Sequence, residues 1–180
     1  QFMLNRDDLP RVRTMVADIS RGILGRKNGQ IEVVNDFCRM VPATLVQDYF
    51  GLTGAKLTDL IEWSYWNQYD TFHNQPFDVL PAELSQQIID RHNETSKKLS
   101  SYITMLIAKR LLAVKAEKLT FSTIIKLRDD IVTRMLRTGF AKEQDFDIKR
   151  LGVNAGGLLI GAIETTSQAV AQILQYLFQH

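Results

Sequence analysis

The chain has 180 residues, of which 45% are hydrophobic and 23% are charged, values typical of a globular protein with its own core. Its 22 basic and 20 acidic residues give a net charge of +2, which offers no argument for nucleic-acid binding. The single cysteine excludes an intrachain disulfide. No apolar run approaches the ~20 residues that cross a bilayer, and we expect a cytoplasmic protein without a membrane span.

The first helix is predicted from Leu9 to Leu24. The polar residues before it are typical of a helix start, and Pro10 sits where a first turn tolerates it. Apolar residues then recur at steps of three and four until Gly25. The arginines of this helix allow an anion-binding patch, but a solvated face balanced by neighbouring aspartates is the favoured interpretation.

The second apolar segment, Ile31 to Leu52, also has helical spacing. Pro42 lies within it and predicts a kink or a break, because proline cannot donate the backbone hydrogen bond. Cys38 is interpreted as a buried core residue, since free cysteines are usually buried and inert.

A third helix is predicted to start between Thr53 and Thr58 and to run through Trp66. The aromatic and amide residues that follow it are favoured as core, with a smaller weight on Phe72 to Phe77 as the lining of a ligand entrance. We expect His73 to have a surface or capping role. Next along the chain, Leu84 to Val114 has a long amphipathic pattern.

A further helical segment, Ile124 to Leu136, contains Asp129 and Asp130. Asp145 and Asp147 then provide acids for the positive end of the last helix. No segment alternates as strands do. The sequence therefore predicts one all-α domain over residues 1–180, with six or seven helices packed as a bundle around a long C-terminal helix.

That C-terminal helix combines an apolar stripe with glycines that disfavour it. Gly156, Gly157 and Gly161 each cost roughly 1 kcal/mol relative to alanine inside a helix, and polar residues follow at once. We expect Gly157, Gly161, Glu164 and Gln168 to share a face whose backbone a flat group can approach. The Thr165 hydroxyl can compete for the Gly161 carbonyl one turn earlier. The predicted apolar stripe comprises Leu159, Ile163, Thr166, Val170, Ile173, Leu174 and Leu177.

The motif Gly161-Ala162-Ile163-Glu164-Thr165-Thr166 resembles the small-small-x-acid-Thr-Thr motif of the cytochrome P-450 family, the haem-thiolate monooxygenases. In that family it lies in the long I helix that crosses the haem. The second position is more often glycine than the Ala162 found here. Asp36-Phe37, then Pro42 and the closing Phe50-Gly51-Leu52, is similar to the family's helix beneath the long one.

The order of the segments also resembles the family. Leu84 to Val114 takes the place of the helix pair that roofs the substrate pocket, although a solvent-facing helix of a bundle fits this stretch equally well. The Asp129-Asp130 segment, some 25 residues before the glycines, is similar to the family's pattern as well. The resemblance implies that these acids are structural, and we expect them to cap the helix or to pair with Arg134 and Arg137.

The resemblance implies a role for each matching residue. Thr165 would donate a hydrogen bond to the dioxygen that the haem activates, and Glu164 would relay protons to it. Gly157, Gly161 and Ala162 would lie against the porphyrin together with Thr165, and Ile160 would face the substrate. The implied partners are a small apolar organic substrate, dioxygen and an electron-transfer protein, and the implied cofactor is haem.

Several family motifs have no counterpart among these 180 residues, notably the Glu-x-x-Arg motif, the haem-ligating cysteine loop and the propionate clamp. The surroundings of Cys38 do not resemble that loop, and no metal ligand is predicted. We therefore expect these 180 residues to be a central fragment of a larger P-450 chain, with an incomplete P-450-like fold. This fragment should be inactive alone, because the cysteine that would ligate the haem is absent from it. The alternative is a non-catalytic helical ligand-binding or protein-interaction bundle without haem, in which the glycines serve tight helix packing and Glu164 is paired inside.

Overall fold

The computed structural model describes residues 4–119, 127–137 and 147–180. Over these ranges the chain forms six α-helices and no strand, which confirms the predicted all-α class. Helix α1 spans Leu9–Leu24 and has Pro10 in its first turn and Gly25 directly after its end, as the sequence predicts. None of the helices in the described ranges has the length and apolar character needed to span a bilayer.

The region around Pro42 stays helical but changes its winding. Helix α2, Met40–Leu45, is flanked by two wide π-type turns, Val34–Cys38 and Val46–Phe50. The Arg39 amide donates to the Val34 carbonyl at 3.0 Å, five residues back. Of the predicted kink or break at Pro42, the break does not occur, because the chain remains helical on both sides of the proline.

Helix α3 spans Leu57–His73 and is longer than the sequence predicts. Helix α4 spans Ala82–Leu119, a single helix of 38 residues. Of the two interpretations of Leu84 to Val114, the structure has the single helix and not the pair, since neither proline nor glycine interrupts this stretch. Helix α3 packs between α4 and the C-terminal helix.

Helix α5 spans Ile131–Arg137, and the acids before it are structural as predicted. Asp130 accepts a hydrogen bond from the Thr133 amide at 2.8 Å, and Asp129 pairs with Arg134 at 2.6 Å. Arg137 pairs instead with Glu117 of α4 at 2.8 Å. The predicted helical residues 124–126 and the predicted acid at position 145 lie outside the described residues.

Helix α6 spans Ile148–Gln179 and is capped by Asp147, whose carboxylate accepts a hydrogen bond from the Arg150 amide at 2.8 Å. Its buried side is formed by residues at four-residue intervals, Leu151, Ala155, Leu159 and Ile163, which join the common core. The later part of the predicted apolar stripe is exposed, with Ile173 at 58% and Leu177 at 65%. No other described helix packs along that end in the way that α3 and α4 cover the beginning.

Candidate functional site

Three glycines near the middle of α6 face open space. A Cβ atom added at Gly156, Gly157 or Gly161 would meet no atom within 4 Å. Gly157 and Gly161 lie one turn apart on an exposed strip, which we call the bare face. Gly156 instead lines a groove beside α4. The tight helix packing that the bundle hypothesis predicts for these glycines is not found, and a flat group can reach the backbone at the bare face.

Glu164, one turn beyond the bare face, is buried with 2% of its surface exposed. Its Oε2 oxygen accepts from the Arg39 guanidinium, from Nη2 at 3.2 Å and from Nε at 3.3 Å. Its Oε1 oxygen is also buried and has no hydrogen-bond partner among the described residues. Burial raises the pKa of Glu164, although Arg39 acts to lower it. The carboxyl group is therefore only half satisfied and holds a proton more readily than an ordinary glutamate.

Arg39 is also held in place by contacts with residues other than Glu164. Its guanidinium lies 4.9 Å from the centre of the Tyr65 ring, and its Nη1 donates to Asn35 at 2.7 Å. Arg39 has no predicted role in the site. The available signal was a basic side chain on the segment similar to the helix beneath the long one, but spacing along the chain does not identify a partner 125 residues away.

Thr165 is exposed, and its hydroxyl donates to the Gly161 carbonyl. The predicted competition for that carbonyl is thus confirmed. Because the hydroxyl proton is engaged, the Thr165 oxygen is left with lone pairs that can accept a hydrogen bond. In this arrangement Thr165 presents an acceptor, whereas the resemblance implies a donor.

Two polar residues of α3 bind the carbonyl next to that of Gly161. The Ile160 carbonyl accepts from Gln68 Nε2 at 2.7 Å and from Ser64 Oγ at 3.2 Å. Both donors are buried. The carbonyls of Ile160 and Gly161 thus both accept side-chain hydrogen bonds, which compete with the backbone hydrogen bonds of the helix. The bonds to Ile160 also connect α6 to α3. The Ile160 side chain itself is half-buried against the core. For the donors Ser64 and Gln68, the sequence offered only their four-residue spacing as a signal.

Ala162 does not join the bare face. It lines a separate apolar cavity of about 290 Å³ between α6, α1 and the α2 region, together with Cys38 and Val46. Cys38 is 2% exposed, as predicted for a core residue, and burial raises the pKa of its thiol. The one cysteine of the chain is therefore protonated and turned away from the bare face.

A second cavity, of about 510 Å³, lies between α3, the later part of α6 and the segment that leads into α2. We call it the carboxylate cavity, because Glu164 and Thr165 form part of its wall. Tyr65, Tyr69 and Phe72 of α3 form the opposite wall. Phe72 is 60% exposed at the rim, with the exposed His73 beside it. The cavity adjoins the bare face without including either of its glycines.

The site thus brings together Gly157, Gly161, Glu164 and Thr165, and it leaves Ala162 on the other side of the helix. Among the described residues, no three histidine, cysteine or acidic side chains are grouped so that they could hold a metal ion. Comparison of the chain with protein-family models, with curated proteins and with solved structures finds no match.

Proposed function

We propose that the chain is part of a haem-thiolate monooxygenase of the cytochrome P-450 type, in which α6 crosses the haem. The observation that carries the proposal is the bare face itself. Gly157 and Gly161 leave open backbone in a helix that gains nothing from glycine, directly before a buried, half-satisfied carboxylate. A planar cofactor is the kind of group that needs this absence of side chains.

The residues of α6 fit one face of a haem, but the described residues offer no ligand for the opposite face. Gly157 and Gly161 would admit the porphyrin, Thr165 would border it, and Ala162 is left out of the contact. When bound, haem supplies the activation of dioxygen for oxidation of a small apolar substrate, with electrons from a partner protein. Cys38 does not fit as the axial ligand, because it is buried beside α1 and α2. The proposal therefore assigns the thiolate to a segment outside these 180 residues, and this chain alone is inactive.

The chain's own residues provide a proton store and an acceptor. Burial raises the pKa of Glu164, so its carboxyl takes up a proton more readily than an ordinary glutamate and can pass it on. Arg39 stabilises the carboxylate that remains after release. The Thr165 hydroxyl is oriented by the Gly161 carbonyl, which fixes the direction of its lone pairs. These groups lie in one cavity wall, as proton transfer requires.

The proposal is tested by blocking the bare face in the full-length protein that contains this chain. Gly161→Leu fills open space, so we expect the fold to survive and haem binding to be lost. Gly156→Leu is the matched control, because it adds the same side chain to α6 on the groove facing α4. Haem content and the Soret band of the reduced, carbon-monoxide-treated protein are measured. Full haem content in Gly161→Leu with an unchanged spectrum would contradict the proposal.

A non-catalytic helical bundle is the second candidate, and the buried pairing of Glu164 with Arg39 favours it. The two candidates differ in what Thr165→Ala does to the full-length protein. The monooxygenase requires oxygen consumption to become uncoupled from product formation while the fold stays intact. The bundle predicts no oxygen consumption in either protein and at most a modest change in the free energy of unfolding. Product yield per oxygen consumed, measured beside urea unfolding, separates them.

A further inference from the structure

The apolar cavity beside Ala162 lies on a different side of α6 from the bare face. Its volume is about 290 Å³, and its walls come from α1, from the α2 region and from α6. Thr166 is the one exposed residue among those that line it, which places the opening there. Protein interiors are closely packed and contain few voids larger than a water molecule. A space of this size is therefore a candidate binding site.

Most of the lining is apolar and can be reached from inside the cavity. Several apolar side chains line it while keeping part of their surface accessible, so a molecule in the cavity can contact them. They are Val16, Phe37, Val41, Leu45, Phe50 and Val170. The lining contains no charged residue, and its hydroxyl groups are those of Ser20 and Thr166.

This lining suits an apolar molecule better than water. A buried water needs two to four polar partners, and two hydroxyls on different helices supply few. Apolar cavities of roughly 150 Å³ stay dry and bind benzene. The cavity here is about twice as large, so it has room for one aromatic ring or for two fused rings. A molecule that fills it restores the dispersion contacts that an empty cavity lacks.

Two phenylalanine rings favour an aromatic molecule. Phe37 lies in the π-type turn before α2 and Phe50 in the one after it, and both line the cavity. Aromatic rings that meet edge to face or offset are stabilised beyond the burial of their area. The thiol of Cys38, also in the wall, behaves as a small apolar group. A charged compound is disfavoured, because its charge would leave water without a partner.

We propose that the apolar cavity binds a neutral, apolar aromatic compound of one or two fused rings, held between α1, the α2 region and α6. This goes beyond the haem proposal and does not depend on it. Neither glycine of the bare face lines this cavity, and neither Glu164 nor Thr165 does.

The test compares fluorobenzene with para-fluorobenzoate, which has the same ring but carries a carboxylate. Binding of each probe to the 180-residue chain is measured by fluorine NMR titration at neutral pH without haem. We expect saturable binding of fluorobenzene and at least about tenfold weaker binding of para-fluorobenzoate, because no charged residue of the lining can pair with the carboxylate. Equal affinities, or no saturable binding of fluorobenzene, would overturn the proposal.

Variants that fill the cavity check where the probe binds. Ala162→Leu fills it from α6 and Val41→Phe fills it from α2, and each should abolish the binding of fluorobenzene. Ala169→Leu is the matched control, because it adds the same side chain to α6 at an exposed position outside the cavity. Circular dichroism and urea unfolding show which variants keep the fold. Full binding in a filling variant that keeps its fold would refute the assigned cavity.

The two alanine variants are also compared in the full-length protein that contains this chain. We expect Ala162→Leu, and not Ala169→Leu, to remove one saturable component of fluorobenzene binding there as well. If no such component exists, a segment outside these 180 residues fills the cavity, and the proposal fails. Neither result depends on whether haem is bound, because the readout is the difference between two variants away from the bare face.

Discussion

Among the described residues, two arginine–carboxylate pairs have a buried carboxylate, and they differ in how completely that carboxylate is satisfied. In the first, Asp130 is fully buried, one oxygen accepting from Arg110 at 2.8 Å and the other from the Thr133 amide at 2.8 Å. Arg110 also reaches the Gly51 carbonyl at 3.4 Å and the Thr53 hydroxyl at 3.3 Å. This closed pair fastens α4, α5 and the loop after α2 together.

The second pair, Arg39 with Glu164, is open. One carboxylate oxygen takes both arginine contacts and the other takes none among the described residues, although the group is 2% exposed. A closed network is what structural ion pairs require, since each unsatisfied buried atom costs stability. The same fold can therefore satisfy a buried carboxylate, and Glu164 is the exception among the described residues.

The largest expected effect comes from removing the arginine of each pair. Arg110→Met should lower the free energy of unfolding by about 3–5 kcal/mol, because Asp130 is left as an enclosed, unpaired charge. Arg39→Met should cost only about 1–2 kcal/mol, because burial already raises the pKa of Glu164 and its carboxyl can take up a proton once Arg39 is removed. Methionine keeps the apolar stem in both cases. Urea unfolding at neutral pH measures both losses, and equal losses would remove the distinction between the pairs.

The closed pair was partly predictable from the sequence. Asp129 and Asp130 come before an apolar helical stretch and are predicted to cap it or to pair with an arginine, and in the structure Asp130 caps the helix while Asp129 pairs with Arg134. Likewise Pro10, Gly25 and Asp147 predict helix ends that the structure has. These signals succeed because capping is local. The choice of Arg110 as partner depends on how α4 packs against α5, and this packing cannot be predicted from the spacing of residues along the chain.

The second prediction concerns the glycine that makes the closed pair possible. Gly51 has φ +89°, and a Cβ added there would collide with the Asp130 carboxylate. Gly54 has φ +93° but open space around it, which makes it a matched control. Gly54→Ala should cost about 1 kcal/mol for the left-handed backbone alone. Gly51→Ala should cost about 3 kcal/mol, because the carboxylate must also move away from its partners.

Thermal and urea unfolding of the two glycine variants are compared directly. If Gly51→Ala and Gly54→Ala lose equal stability, the Asp130 carboxylate is free to shift and the pair is not closed. A double variant with Asp130→Ala tests the same point, because it should reduce the extra cost at Gly51 by removing the group that the new Cβ meets.

The candidate site was less predictable than the closed pair, and the reason is again distance along the chain. The glycines, Glu164 and Thr165 were identified because they are adjacent on one helix, where period and propensity are informative. Their supporting residues come from other segments, as with Gln68 on α3. The expected apolar stripe also fails beyond Val170, because periodicity predicts which residues share a face without showing whether another element covers it.

The smallest expected effect is the pH dependence of stability that Glu164 contributes. The folded pKa of Glu164 lies above its ordinary value of 4.5, chiefly through burial. The folded state therefore binds this proton more tightly than the unfolded state, so the stabilising contribution is full below pH 4.5 and is lost as the pH rises through the folded pKa. Relative to Glu164→Gln, the unaltered chain should lose stability as the pH increases across that window, while Glu83→Gln, the same substitution at an exposed position of α4, should reproduce the unaltered slope.

The groups that face Glu164 allow this slope to be sharpened. His73 lines the same cavity, so the series is measured in a His73→Gln background to keep imidazole titration out of the comparison. Tyr65 also lines the cavity, but burial raises the pKa of its hydroxyl above 10, outside the window. Arg39 acts to lower the pKa of Glu164, so Arg39→Met should make the stability loss steeper and move it to higher pH. If neither Glu164→Gln nor Arg39→Met changes the slope of the unfolding free energy against pH, the open oxygen of Glu164 is solvated like that of a surface acid. The two pairs would then differ only in their hydrogen-bond geometry.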